Sequence, residues 1–165
     1  EEIGLPIYQP VMGCSELINR NIVDANGYGD FAQSCLRAPA GTTCGECWKC
    51  FRKNTLIGKP FKMSKEISTF LEKKPLKMAA STMYSIQKLQ QNGLADEILA
   101  EHDHIHELID IDVSFLEGYY PPSIKLIPEK YRKLTEDLLM ENADVMENIE
   151  IFENFTVHES LSNDN

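Results

Sequence analysis

Four cysteines within sixteen residues, Cys35, Cys44, Cys47 and Cys50, constrain this chain more than any other feature. Their spacing is Cys-x8-Cys-x2-Cys-x2-Cys. A Cys-x-x-Cys turn brings two sulfurs onto one metal ion, so the two overlapping turns supply three ligands and the loop over residues 36–43 returns the fourth. Gly45 eases the tight backbone between them. Zinc takes four thiolates as a tetrahedron with no open position, and an ion held that way staples a fold instead of catalysing. All four thiols must be deprotonated, and Lys49, Arg52 and Lys53 stand close enough in sequence to offset the charge. An iron–sulfur cluster is the main competitor. Its ferredoxin run shares the two short spacings but carries the fourth cysteine downstream, before a proline; here it lies upstream and no Cys-Pro occurs. Redox-active or free thiols are a third reading.

The cysteine count also bears on compartment. Five is odd, four of the five are clustered, and Glu1-Glu2-Ile3-Gly4 has neither the charged nor the apolar region of a signal peptide. A disulfide framework is therefore not expected, and a reducing compartment, the cytoplasm, is. The missing initial Met suggests a processed or truncated chain.

With 165 residues, 42% apolar and 25% charged, the chain can bury a core without disulfides. No run of about 18 apolar residues is present, so no membrane span is expected. The net charge of −10 argues against direct nucleic-acid binding. The charge is uneven. Residues 49–77 hold nine Lys or Arg against Glu66 and Glu72, whereas residues 94–165 hold eighteen acids against four bases. The basic stretch can face an anionic ligand or the acidic half; the plainer reading is a mixed solvated surface.

Pattern reading divides the chain near residue 60. Residues 1–60 read as short elements around the cysteine knuckle, residues 61–155 as a helical extension, and residues 156–165 as a disordered acidic tail. The two prolines in residues 5–12 predict an edge strand or extended lead-in. Ser15 caps a helix to about Ala25 with Leu17, Ile18, Ile22 and Val23 inward and Gly27 as its stop. Asp30 caps a short second helix holding Phe31 and Ala32. Ser64 caps a helix with Ile67, Phe70 and Leu71 inward, ended by Pro75. Met83, Ile86 and Leu89 mark a helix over residues 78–92, stopped by Gly93. Residues 94–109 read as one less regular helix, and residues 118–122 as a loop. Pro128 opens a last helix with Tyr131, Leu134, Leu138 and Val145 along its inner face. The expected fold class is mainly α with a four-cysteine zinc knuckle.

The stretch Pro10-Val11-Met12, Ser34-Cys35-Leu36 and Cys44-Gly45-Glu46-Cys47-Trp48-Lys49-Cys50-Phe51-Arg52 resembles the C-terminal part of 7-cyano-7-deazaguanine synthase, a family of PP-loop ATP pyrophosphatases. That family ends with a helix, a Ser/Thr-Cys pair, an eight-residue gap and Cys-Gly-x-Cys-x-x-Cys followed closely by Arg. The match covers residues 10–58, about a third of the chain. The resemblance implies a Rossmann-like α/β nucleotide domain, cleavage of ATP to AMP and pyrophosphate, and activation of a substrate carboxylate for attack by ammonia. It implies zinc on Cys35, Cys44, Cys47 and Cys50. The Ser-Gly-Gly-x-Asp-Ser phosphate loop of the class is absent from the sequence, so the nucleotide domain is expected N-terminal to residue 1. The chain would then be the C-terminal part of a larger α/β protein, inactive alone, with ATP bound only by the full-length relative. Its partner would be that missing domain or another protein. A zinc-stabilised interaction module without enzyme activity, and an iron–sulfur protein, are the alternatives.

Other candidates are weaker. His102 and His106 would share a helix face at a metal-binding spacing, with His104 between them, but a solvated face is the simpler reading. Cys14 at a helix N-terminus can be a nucleophile, though a buried inert thiol is commoner. Tyr119-Tyr120-Pro121-Pro122 can present aromatic faces to a ligand, but such loops more often pack inward. Trp48 is expected to shield the sulfurs or dock the knuckle onto the helices. Lys49, Arg52, Lys53 and Lys59 are candidates to meet the phosphates of a nucleotide held by the missing domain.

Overall fold

The structure, a computed structural model, describes residues 8–32 and 35–155. The tail expected over residues 156–165 lies outside them. The described residues form helices α1 (Glu16–Ala25), α2 (Trp48–Thr55), α3 (Lys65–Leu71), α4 (Ala79–Gln91), α5 (Asp96–Glu101), α6 (Asp103–His106), α7 (Glu129–Asn142) and α8 (Ile149–Glu153). Two 3-10 turns, Ser114–Glu117 and Pro121–Leu126, separate α6 from α7. Pairing among the described residues is confined to one parallel bridge between Tyr119 and Val145. At that bridge Gly118 lies against the Met146 backbone, where a Cβ would meet the Met146 N and Cα at 2.4 Å.

Local chemistry explains the ends of three helices. The Ser15 hydroxyl accepts the Ile18 N–H at 3.1 Å and caps α1. The Ser64 hydroxyl does the same for α3 through Ile67 N–H at 3.2 Å. Helix α4 ends in a left-handed Gly93, with Gly93 N–H on the Gln90 carbonyl and Leu94 N–H on the Leu89 carbonyl. That double bond satisfies carbonyls that the helix itself cannot reach.

One hydrophobic cluster runs through the molecule. Phe51 of α2, Ile67 and Leu71 of α3, and Ile86 and Leu89 of α4 are sealed from solvent, as are Ile98, Ile105 and Val113 further on. Leu17 of α1 joins the same cluster. Helix α2 packs on both α3 and α4. A smaller cluster of Ile18, Tyr119 and Leu139 ties α1, the bridge and α7 together. Gln87 of α4 reaches across to donate to the carbonyls of Ile109 and Ile111, both at 2.8 Å.

Several expectations are corrected. The described part of the lead-in is a turn, with Met12 N–H on the Gln9 carbonyl at 3.1 Å; Pro10 at its second position sets the backbone for a turn, not a strand. Asp30 and Phe31 also lie in a turn instead of a helix, and Phe31 is 82% exposed, so nothing apolar holds a helix there. Helix α3 stops at Leu71, ahead of Pro75. The single helix expected over residues 94–109 is broken at His102, whose backbone leaves the helical region at φ −133°, ψ 77°. The Leu99 carbonyl is taken by the His106 ring at 3.0 Å, which offsets the break. Helix α7 turns a different face inward. Thr135 and Leu139 are buried, whereas Leu134 is 61% exposed and Leu138 52%. Both pairs are four apart, so helical spacing alone does not choose between them. Of the proposed stripe on α1, Leu17 and Ile18 are buried and Ile22 and Val23 only half-buried.

Candidate metal centre

The four predicted sulfurs come together. The ligand atoms of Cys35, Cys44, Cys47 and Cys50 all lie within 4.8 Å of one another. Cys47 Sγ is 3.5 Å from Cys50 Sγ, and Cys44 Sγ is 3.8 Å from it. A tetrahedron of thiolates at about 2.3 Å from one ion has edges of roughly 3.8 Å, so this arrangement suits a single ion. No cysteine is in a disulfide. The four can hold a metal ion.

Helix α2 and the loop before it set the geometry. Cys47 is the N-cap of α2 and Cys50 sits in its first turn, so both sulfurs gather at the N-terminus of that helix. Gly45 adopts φ +73°, a conformation open to glycine at little cost, and turns the chain between Cys44 and Cys47. Cys44 N–H points at Cys35 Sγ at 3.5 Å. The backbone N–H groups of Cys44 and Arg37 pull the Cys35 thiol down to about 6. Burial pushes the Cys50 thiol up to about 12. A divalent cation held by the four sulfurs would favour the Cys50 thiolate that burial opposes.

The knuckle is fastened to α3. Arg37 pairs with Glu66, and Glu66 also accepts the Trp48 N–H at 3.3 Å. The Ser64 hydroxyl donates to the Glu46 carbonyl at 2.7 Å. Trp48 stacks on Phe70 with centroids 5.5 Å apart, so it docks the knuckle onto the helices. Ser64 was visible in the sequence as a cap; nothing in the spacing pointed to Arg37 or to the second role of Glu66.

The remaining candidates do not join this centre. Arg52 is buried and paired with Glu16 of α1, and Lys53 donates to the Ala32 carbonyl at 3.0 Å, so neither matches its expected role toward phosphate. His104 caps α3 through the Leu71 carbonyl at 2.9 Å, and His102 is buried with Nε2 unpartnered. Of the three histidines His106 alone is exposed, so they do not form one solvated face, and among the described residues the four cysteines are the one group of at least three metal-ligating residues close enough for an ion. Burial raises the Cys14 thiol, as suits an inert packing residue. Tyr119 is buried and Tyr120 donates to Glu153 at 2.7 Å, so that loop packs inward.

No helix among the described residues is long and apolar enough to cross a membrane. No curated protein and no solved structure matches the chain. A family match covers residues 1–155, and the chain belongs to the Family of unknown function (DUF6395).

Proposed function

We propose that Cys35, Cys44, Cys47 and Cys50 bind one structural zinc ion, and that the chain is the zinc-binding C-terminal part of a PP-loop ATP pyrophosphatase resembling 7-cyano-7-deazaguanine synthase. The observation that carries the zinc reading is the four sulfurs within 4.8 Å of one another. A cluster of several irons holds its thiolates farther apart than a single ion does. Four thiolates leave no coordination position for water, so the ion's work is to fix the N-terminus of α2 against α3. Elemental analysis of the purified, reduced protein tests this: about one zinc per chain with negligible iron is expected. Iron with sulfide, or a folded protein without metal, would overturn it.

The enzymatic part of the reading rests on the sequence resemblance. ATP-dependent activation of a carboxylate would reside in a domain N-terminal to residue 1, and this chain alone would not cleave ATP. Sequence upstream of residue 1 tests this: a Ser-Gly-Gly-x-Asp-Ser loop is expected there, with release of pyrophosphate from ATP by a chain that includes it. An upstream region lacking that loop would sink the reading without touching the zinc site. A zinc-stabilised interaction module is the second reading, favoured by Leu134 and Leu138, which leave apolar surface exposed on α7.

A further inference from the structure

A groove of about 240 Å³ opens where the knuckle meets α3, bounded by Trp48, Thr69, Phe70, Lys73, Lys77 and Met78. Roughly 300–1,000 Å³ is usual for a pocket that encloses a small molecule, so this one suits an anchoring side chain. Its floor is aromatic. Phe70 stacks on Trp48, and the Arg52 guanidinium stands over the indole at 5.6 Å, which leaves little ring face for a nucleobase. The indole N–H donates to no protein group among the described residues. Met78 forms the mouth. It is 51% exposed and holds φ +52°, ψ +46°, the left-handed region that a side chain of its kind seldom adopts. Thioether side chains of this type adapt to varied apolar partners.

The charge around the groove has one sign left over. Glu66, its one acid, is taken by Arg37 and by the Trp48 N–H. Lys73 and Lys77 form no ion pair among the described residues. Lys49 adds a third cation over Trp48 at 5.7 Å. In a chain of net charge −10, a cationic rim around an aromatic slot is a local exception.

We propose that this groove docks an acidic peptide segment of a partner protein, with one apolar side chain seated between Trp48 and Met78 and its carboxylates on Lys73 and Lys77. A free carbonyl of the peptide accepts the Trp48 indole N–H. The inference goes beyond the zinc reading and does not depend on an upstream nucleotide domain.

Selection from a random-peptide display library on the intact chain, with its metal content measured, tests it. Enriched sequences are expected to pair an apolar residue with Asp or Glu. Synthetic versions should shift the fluorescence of Trp48, the sole tryptophan, with affinity falling as salt rises. Lys73→Glu with Lys77→Glu should weaken binding about tenfold at unchanged melting temperature, because both side chains are exposed. Met78→Gly separates docking from folding. Glycine accepts the left-handed backbone, so stability should hold while peptide affinity drops. Selection of neutral or basic peptides, or of none, would overturn the proposal. So would acidic peptides indifferent to the lysine reversals, competition by a single-stranded oligonucleotide, or salt-sensitive self-association that the same reversals abolish.

Discussion

Cys47 has two duties, as a member of the sulfur cluster and as the N-cap of α2, and its side chain makes no capping hydrogen bond there. Replacing it by serine keeps the size and improves the cap, so any loss of stability reports the metal. Cys47→Ser is expected to lower bound zinc well below one per chain and to cost about 3 kcal/mol or more, read from a urea midpoint. An unchanged midpoint with unchanged metal content would refute the coupling. His102 gives a separate residue-scale test. It is buried, its Nε2 has no partner, and desolvation followed by the nearby His104 charge lowers its affinity for a proton, only partly opposed by Glu101 and Glu72. The folded state therefore binds this proton less readily than the unfolded chain, whose ordinary value is 6.5. Stability is full above that value and is lost as pH falls through and below it. Glu117 acts lower down: the Tyr84 hydroxyl and Lys88 depress its carboxyl below 4.5, so its contribution fades only in that more acidic range. His102→Phe should flatten the dependence of the melting temperature between about pH 7.5 and about pH 5.5. An equal slope in both proteins would place the acid sensitivity elsewhere, the thiolate site included.

Elements were legible where the signal was local. Ser15, Ser64 and Gly93 act on their own neighbours through one or two hydrogen bonds, and the helix ends they set stand where the pattern put them. The cysteine knuckle was legible for the same reason, since three of its sulfurs come from seven consecutive residues. The break in the helix expected over residues 94–109 and the inward face of α7 depended in part on contacts distant in sequence. The His102 break is supported by the His106 ring on Leu99 and by His104 on Leu71 of another helix, and no periodicity encodes the second of these. The orientation of α7 is set by its contacts with α1 and the 3-10 turn Pro121–Leu126, which select Leu139 over Leu138. Two substitutions on this helix measure that choice. Leu139→Ala should cost about 2–4 kcal/mol, because it empties a packed site. Leu138→Ala should stay within about 0.5 kcal/mol. Equal losses in chemical denaturation would mean that the stripe read from the sequence is buried after all.

At the scale of the molecule, the question is whether the knuckle and the helices unfold as one. Leu17, Phe51 and Leu56 share a single cluster with Ile67, Ile86 and Ile105, whereas Cys35, Cys47 and Cys50 form a small cluster of their own, and α2 contributes to both through Phe51 and Cys50. Glu66, Ser64 and Phe70 add polar and aromatic ties from α3 to the knuckle itself. Metal binding free energy passed into a shared core should stabilise every element that the core touches. Chelation at neutral pH is therefore expected to lower the melting temperature of the whole chain while leaving one transition, followed in parallel by far-ultraviolet dichroism for the helices and by Trp48 fluorescence for the knuckle. Dichroism and fluorescence curves that coincide with each other both before and after chelation, with a lower midpoint after it, would bear this out. If fluorescence melts early and the helical signal keeps its metal-bound midpoint, the knuckle is an appendage, and the buried contacts of α2 with α3 and α4 contribute far less than their burial implies.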